Sequence, residues 1–155
     1  IAFIALNFSS NFIKKTSVVF SSVSILILIF FLPAENNNPK SLIEIGEEWS
    51  TERVSQLRFE KRNILLNFTA DWCLTCKVNE RLVLNSKEFI SLVETGKIAY
   101  LVADWTKYDP EITAELEKYK RAGVPLYLYW SEGSDEVKIL PAVLTKSILY
   151  ANLKL

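Results

Sequence analysis

Ile64-Leu65-Leu66-Asn67-Phe68-Thr69-Ala70-Asp71-Trp72-Cys73-Leu74-Thr75-Cys76-Lys77 decides the reading of this chain. Its first five residues form a short, nearly continuous apolar run, as expected of a strand buried on both faces. A turn then delivers Cys73 and Cys76, the only cysteines in the sequence, to the first turn of a helix. Unpaired backbone N–H groups and the partial positive charge of a helix N-terminus favour thiolate over thiol at such a place. Two cysteines at this spacing read as a dithiol/disulfide redox centre.

Other uses of the pair weigh less. A closed zinc site needs four ligands, and the chain has two cysteines and no histidine, so only an intermolecular or carboxylate-completed site would remain. We expect no metal and no cofactor. A purely structural disulfide at this spacing closes a very small loop and removes little unfolded-state entropy. The lack of histidine also disfavours Ser-His-Asp and Cys-His hydrolases. The 155 residues suffice for about one domain. The 18 basic and 18 acidic side chains cancel, so a nucleic-acid partner is not expected.

Thr16 to Leu32 carries no charge and is rich in Val, Ile, Leu and Phe. With Pro33 and Ala34 at the interface it is long enough for a transmembrane helix. Lys14 and Lys15 precede it, and the positive-inside rule puts them in the cytoplasm and everything after Pro33 outside. A signal peptide cleaved near Ala34 is the rival reading. Thirteen residues precede the lysines, including the apolar run Ile1 to Leu6, which favours a retained helix following another one. The opening Ile1 and the absence of Met lead us to expect a longer protein. The expected organisation is therefore the end of a preceding membrane helix and a cytoplasmic loop (1–15), a transmembrane helix (16–34), an extracytoplasmic linker (35–46) and a folded domain (47–155).

Within that domain, Ser50 or Thr51 caps a helix carrying Val54 and Leu57 and ending before Arg62-Asn63, with Trp49 as a core anchor. The helix opening at Cys73 is expected to run through Val78, Leu82, Phe89 and Leu92, broken near Asn85-Ser86 and ended by Gly96. Ile98 to Ala103 reads as a second buried strand. Asp109-Pro110-Glu111 supplies an N-cap, an N1 proline and an acidic first turn to a helix burying Ile112, Leu116 and Tyr119 and closed by Lys118, Lys120, Arg121 and Gly123. Leu126 to Trp130 and Val137 to Leu140 form a hairpin about Gly133, and a helix from about Leu144 to Leu153 ends the chain. The first two strands must be parallel, because a helix crosses between them.

With its Cys-x-x-Cys at the first crossover helix and Val124-Pro125 before the hairpin, this order resembles the α/β thioredoxin-like fold, a mixed four-stranded core sheet flanked by helices. Phe68 to Glu80, Ala103-Asp104-Trp105-Thr106 and Gly123-Val124-Pro125-Leu126-Tyr127 are similar to the C-terminal thioredoxin-like domain of the transmembrane thiol:disulfide interchange protein (DsbD) family. The resemblance covers residues 47–153. It implies a bacterial inner-membrane protein whose periplasmic domain passes electrons from a membrane domain of the same protein to disulfides of extracytoplasmic partners. Disulfide isomerases and cytochrome c maturation thiol proteins are the partner classes it implies.

Carried over to these positions, Cys73 becomes the exposed nucleophile and Cys76 the buried resolving thiol. Pro125 matches a cis-proline opposite the cysteines, where the Val124 backbone and Trp72 would meet substrate. Glu80, four residues after Cys76 and on its helix face, matches a carboxylate that exchanges the Cys76 proton; a solvated surface glutamate is the plain alternative. Asn67 departs from the pattern, since relatives hold a buried Asp there and an amide cannot titrate. Leu74-Thr75 places no charge between the cysteines, which favours a reductase over an oxidase. The competing class is a non-catalytic binding module with an inert disulfide, using Trp72 and the run Tyr127-Leu128-Tyr129-Trp130 as an interface; in the covered sheet expected here such aromatics are more often core.

Overall fold

Strand β2, Ile64–Thr69, is buried along its whole length and lies at the centre of the sheet. It alternates strictly. Ile64, Leu66 and Phe68 join one core with Trp49, Leu57, Ile112 and Leu116, while Leu65 joins the other with Val83, Leu84, Phe89, Tyr100 and Tyr127. A strand between two apolar layers can carry such a run because each side chain leaves water, contributing roughly 1.5–3 kcal/mol per large residue.

The computed structural model describes residues 45–153, which lie within one compact unit. The expected transmembrane helix at 16–34, the segment before it and most of the linker lie outside the described residues. Among those described, no helix is long and apolar enough to cross a membrane.

The elements in order are β1 (Glu47–Glu48), α1 (Thr51–Phe59), β2, α2 (Leu74–Asn79), a π-helical turn (Glu80–Leu84), α3 (Lys87–Glu94), β3 (Ala99–Asp104), α4 (Pro110–Lys118), β4 (Leu126–Trp130), β5 (Lys138–Leu140) and α5 (Lys146–Asn152). The sheet order is β1-β3-β2-β4-β5. β2 pairs parallel with β3 and antiparallel with β4, and β4 pairs antiparallel with β5. The expected four-stranded sheet is corrected to five: Glu47 and Glu48 add a parallel edge strand to β3. Two glutamates have no apolar alternation to betray a strand. Gly46 makes the approach possible, since a Cβ there would sit 2.7 Å from Val102 Cγ2.

Local chemistry sets the helix ends. Ser50, Ser86 and Thr145 accept hydrogen bonds from backbone N–H groups in the first turns of α1, α3 and α5, and Asp109 does so for α4. Gly96, at φ +70°, ends α3, with Gly96 N–H bonded to Val93 O and Lys97 N–H to Leu92 O. The same bond pattern ends α4 at Lys120, φ +55°, rather than at Gly123.

The helix after Cys73 needs the largest correction. Val78 and Leu82, through which the helix is expected to run, are exposed, while Asn79, Val83 and Leu84 are buried along with Cys76. A π turn follows α2, with Asn85 N–H bonding Glu80 O at 2.7 Å, and its extra residue rotates Val83 and Leu84 relative to the residues before it.

Candidate functional site

At the C-terminal end of β2 the chain turns through Ala70-Asp71-Trp72 and enters α2 with Cys73 as N-cap. Cys73 Sγ accepts a hydrogen bond from Cys76 N–H at 3.2 Å, and the two sulfurs are joined in a disulfide with Cα atoms 5.3 Å apart. Ala70, Cys73 and Cys76 form a small buried cluster against which Val124 packs. Cys73 is therefore less open than expected, at 7 % exposed against 0 % for Cys76. The order of accessibility still runs from Cys73 to Cys76. The Val124–Pro125 peptide bond is cis.

Trp72 stands apart from the other tryptophans, half exposed beside the disulfide. Its indole N–H donates to Thr106 O at 3.2 Å, and its ring meets Trp105 and Tyr108 with centroids 5.9 and 5.5 Å away. Thr106 organises this corner: its Oγ1 accepts from Asp71 N–H at 2.9 Å and donates to Asp104, whose carboxylate also accepts from Thr106 N–H. Tyr127, Tyr129 and Trp130 are buried in the sheet. They belong to the core and offer no interface.

One helical turn beyond Cys76 lies a polar group that sequence reasoning reached only in part. Glu80, one turn after Cys76, donates its backbone N–H to the Cys76 carbonyl. Its side chain is turned inward, only 15 % exposed, and is no solvated surface glutamate. Glu80 Oε1 accepts from Thr69 Oγ1 at 2.6 Å and from Asn67 Nδ2 at 3.4 Å, and Oε2 lies 3.4 Å from Lys77 Nζ. Lys77 also pairs with Asp71 at 3.1 Å. Burial pulls the Lys77 ammonium down, and Asp71 with Glu80 outweighs it, so Lys77 titrates above the ordinary lysine range. Thr69, Asp71, Lys77, Glu80, Tyr100, Val102 and Asp104 line a cavity of about 60 Å³.

Asn67 is fully buried, and its Nδ2 also donates to Tyr100 Oη at 2.9 Å. Its Oδ1 has no hydrogen-bond partner among the described residues, a burial that costs about 1–3 kcal/mol. Burial holds the Tyr100 phenol well above the usual tyrosine range, against the opposing Asn67 hydrogen bond and with the Glu80 charge adding to it. The same balance, with Asn79 as donor, pushes Tyr127 up to about 12. Thr69 and Tyr100 were missed because a strand Thr and a strand Tyr look like ordinary β residues. Only the alternation of β2, which puts positions 67 and 69 on one face, pointed to Thr69, and nothing in the sequence pointed to Tyr100.

Among the described residues no cluster of three or more His, Cys, Asp or Glu is arranged to hold a metal. The arrangement instead suits thiol chemistry: a disulfide at a helix start, and a carboxylate one turn further on at its inner face.

Comparison with known proteins agrees. A family model described as thioredoxin-like matches residues 46–131. The thiol:disulfide interchange protein DsbD of Haemophilus influenzae strain PittGG is 27% identical over 107 residues, 68% of this chain and 18% of that protein. DsbD 1 of Pseudomonas aeruginosa is 31% identical over 83 residues, 54% of this chain and 14% of its own length. The chain thus spans less than a fifth of these relatives. The reduced C-terminal domain of Neisseria meningitidis DsbD superposes with a TM-score of 0.52 at 23% identity, covering 67% of this chain and 96% of that one. A Thermus thermophilus thioredoxin gives 0.53 at 13% identity, covering 68% and 82%. With its model matched over more than half of the sequence, the chain belongs to the thioredoxin-like family, and its Cys73–Cys76 pair is a redox centre of the thiol:disulfide oxidoreductase kind.

Proposed function

We propose that this domain is a protein-disulfide reductase, working in the periplasm as the outer part of a bacterial inner-membrane protein. The observation that carries the reading is the Cys73–Cys76 disulfide at the N-cap of α2 with the Glu80 carboxylate held one turn below it. Similarity to the thiol:disulfide interchange proteins DsbD supports the exchange chemistry, and the family resemblance implies the membrane setting and the outward direction of electron flow.

In the reduced state the Cys73 thiolate attacks one sulfur of a partner disulfide. A Cys73–partner bond forms, and the partner's second sulfur leaves as a thiolate. Cys76 then gives its proton to the Glu80 carboxylate and attacks Cys73 Sγ. The Cys73–Cys76 bond closes, the mixed disulfide breaks, and the partner's remaining sulfur leaves as thiolate. Two electrons have passed to the partner, and protons from Glu80 and solvent complete its thiols. Trp72, Val124 and Pro125 flank the exchange and would seat the partner segment. Cysteines in a membrane domain of the same protein would reduce the disulfide again. Isomerases and cytochrome c maturation thiol proteins are the partners this reading proposes.

The test is covalent trapping. Cys76→Ser removes the resolving thiol, so partner proteins should accumulate disulfide-linked to Cys73. Accumulation on Cys76 in the Cys73→Ser variant instead would overturn the assignment of roles.

A further inference from the structure

We propose that Asn67 is a positioning residue for Glu80, presenting amide donors where a second acid would compete, so that a single carboxylate exchanges the Cys76 proton. The inference rests on the reading of Glu80 as that acceptor.

The strand places the group. Alternation along β2 puts Asn67 and Thr69 on the face under α2, and the register sets Asn67 between Val102 of β3 and Tyr127 of β4. Both hydrogens of the Asn67 amide are committed, one to Tyr100 Oη at 2.9 Å and one toward Glu80 Oε1 at 3.4 Å. Thr69 donates to the same carboxylate oxygen.

The orientation of the amide follows from chemistry. An ionised carboxylate offers only lone pairs, so turning the amide over would set Oδ1 against Oε1 with no hydrogen between them. As it stands, Oδ1 is shielded from solvent and unpartnered among the described residues. A buried amide whose acceptor is unused and whose donors are both used is held for its donors.

Other charged or titratable groups also face Glu80. Lys77 approaches Oε2 from its own helix, with Asp71 behind it. Tyr100 of β3 and Tyr127 of β4 feel its charge from the sheet, and Asp104 shares the cavity. Asp71 reaches Glu80 only through Lys77, and among the described residues neither Asp71 nor Asp104 is hydrogen-bonded to it. An Asp at position 67 would set a second carboxyl against Glu80, and two carboxyls in contact titrate as a coupled pair. The Cys76 proton would then pass to a shared, doubly charged site. The amide at position 67 keeps the exchange a one-proton event.

The experiment is nuclear magnetic resonance on the full chain with both cysteines reduced, following the Asn67 side-chain amide and the Cys76 β-carbon against pH. The Asn67 amide should move through one titration step that vanishes in Glu80→Gln. In Asn67→Asp, which lacks that amide and is followed at the Cys76 β-carbon alone, two carboxyl steps should appear and the Cys76 midpoint should rise by about one pH unit. Thr69→Val, which removes a donor without adding charge, should keep a single step. A Cys76 midpoint that shifts in Glu80→Gln, with an Asn67 amide blind to pH in the unaltered protein, would overturn the positioning role and leave Glu80 as acceptor. A midpoint indifferent to Glu80→Gln would overturn the reading of Glu80 and this inference with it. Because the amide signal is read in the unaltered chain, a poorly folding Asn67→Asp variant would not remove the test.

Discussion

Tyr108 lies flat against Trp72, ring centroids 5.5 Å apart and planes 17° from parallel, while its own backbone sits at φ +56°. A bulky residue in left-handed backbone is uncommon, and here that turn brings the phenol ring onto the exposed indole beside Cys73. Aromatic pairs of this kind contribute about 0.5–1.5 kcal/mol beyond their buried area. Tyr108→Ala should free Trp72 and lower kcat/KM toward a protein disulfide by about threefold to tenfold. Reaction with a small disulfide, which needs no such surface, should stay unchanged. Stopped-flow tryptophan fluorescence with both oxidants checks the split; equal losses with both would show that the pair acts on the cysteines themselves.

Asn79 ties the cysteine helix to the end of the chain. Its Nδ2 donates to Tyr127 Oη at 3.0 Å and Ala142 O at 2.7 Å, and its Oδ1 accepts from Leu144 N–H at 3.1 Å. Asn79→Ala would leave two buried polar groups, Tyr127 Oη and Leu144 N–H, without partners and should destabilise the fold by about 2–4 kcal/mol in urea unfolding. The rate of disulfide exchange per folded molecule should persist, since nothing in this clasp touches a sulfur.

Stability should fall in alkali. The folded-state pKa of Tyr127, about 12, lies above the ordinary value of 10.0, chiefly because burial disfavours the phenolate. The stability this provides is complete below the unfolded value and is lost as pH rises through the folded one. Tyr127 alone then accounts for a decline of about 2–3 kcal/mol across that window, and Tyr100 acts in the same direction. Denaturant melts from about pH 8 to pH 11.5 measure it. A flat profile would mean that the two hydroxyls reach water.

Reduction potential decides the direction of electron flow. No charged side chain lies between Cys73 and Cys76, and among the described residues one helix-start hydrogen bond, from Cys76 N–H, reaches Cys73 Sγ. We expect a potential at or below about −200 mV against defined thiol buffers, nearer thioredoxin than a dedicated oxidant. A value near about −120 mV would reverse the direction.

The legible parts of this chain were those with strong local chemistry. The apolar run at Ile64, the Asp109-Pro110 helix start and the hairpin strand Leu126–Trp130 all lie where their residues placed them. The two cysteines and Val124 come together because the β-α-β order leaves them no other end of the sheet. The features that sequence did not reveal depend on tertiary partners. Lys120 rather than Gly123 takes the left-handed position after α4, a choice that closing hydrogen bonds to Leu116 and Glu117 impose against residue preference. Glu47 and Glu48 become a strand only because β3 offers a free edge. Thr106 and Tyr108 matter to Trp72 through a loop that lies 34 residues away along the chain.

The π turn at Glu80–Leu84 also makes the chain intolerant of a change in length. It contains one residue more than a regular α-helix would use over the same stretch. Deleting the exposed Leu82 would let the helix run on smoothly, yet everything after it would swing about 100° and draw back about 1.5 Å. Val83, Leu84 and Phe89 would then leave the sheet, or Glu80 would leave Thr69 and Asn67. The surplus residue acts as a phase shifter between two halves of one helix, letting the upper half face the sulfurs while the lower half faces the core.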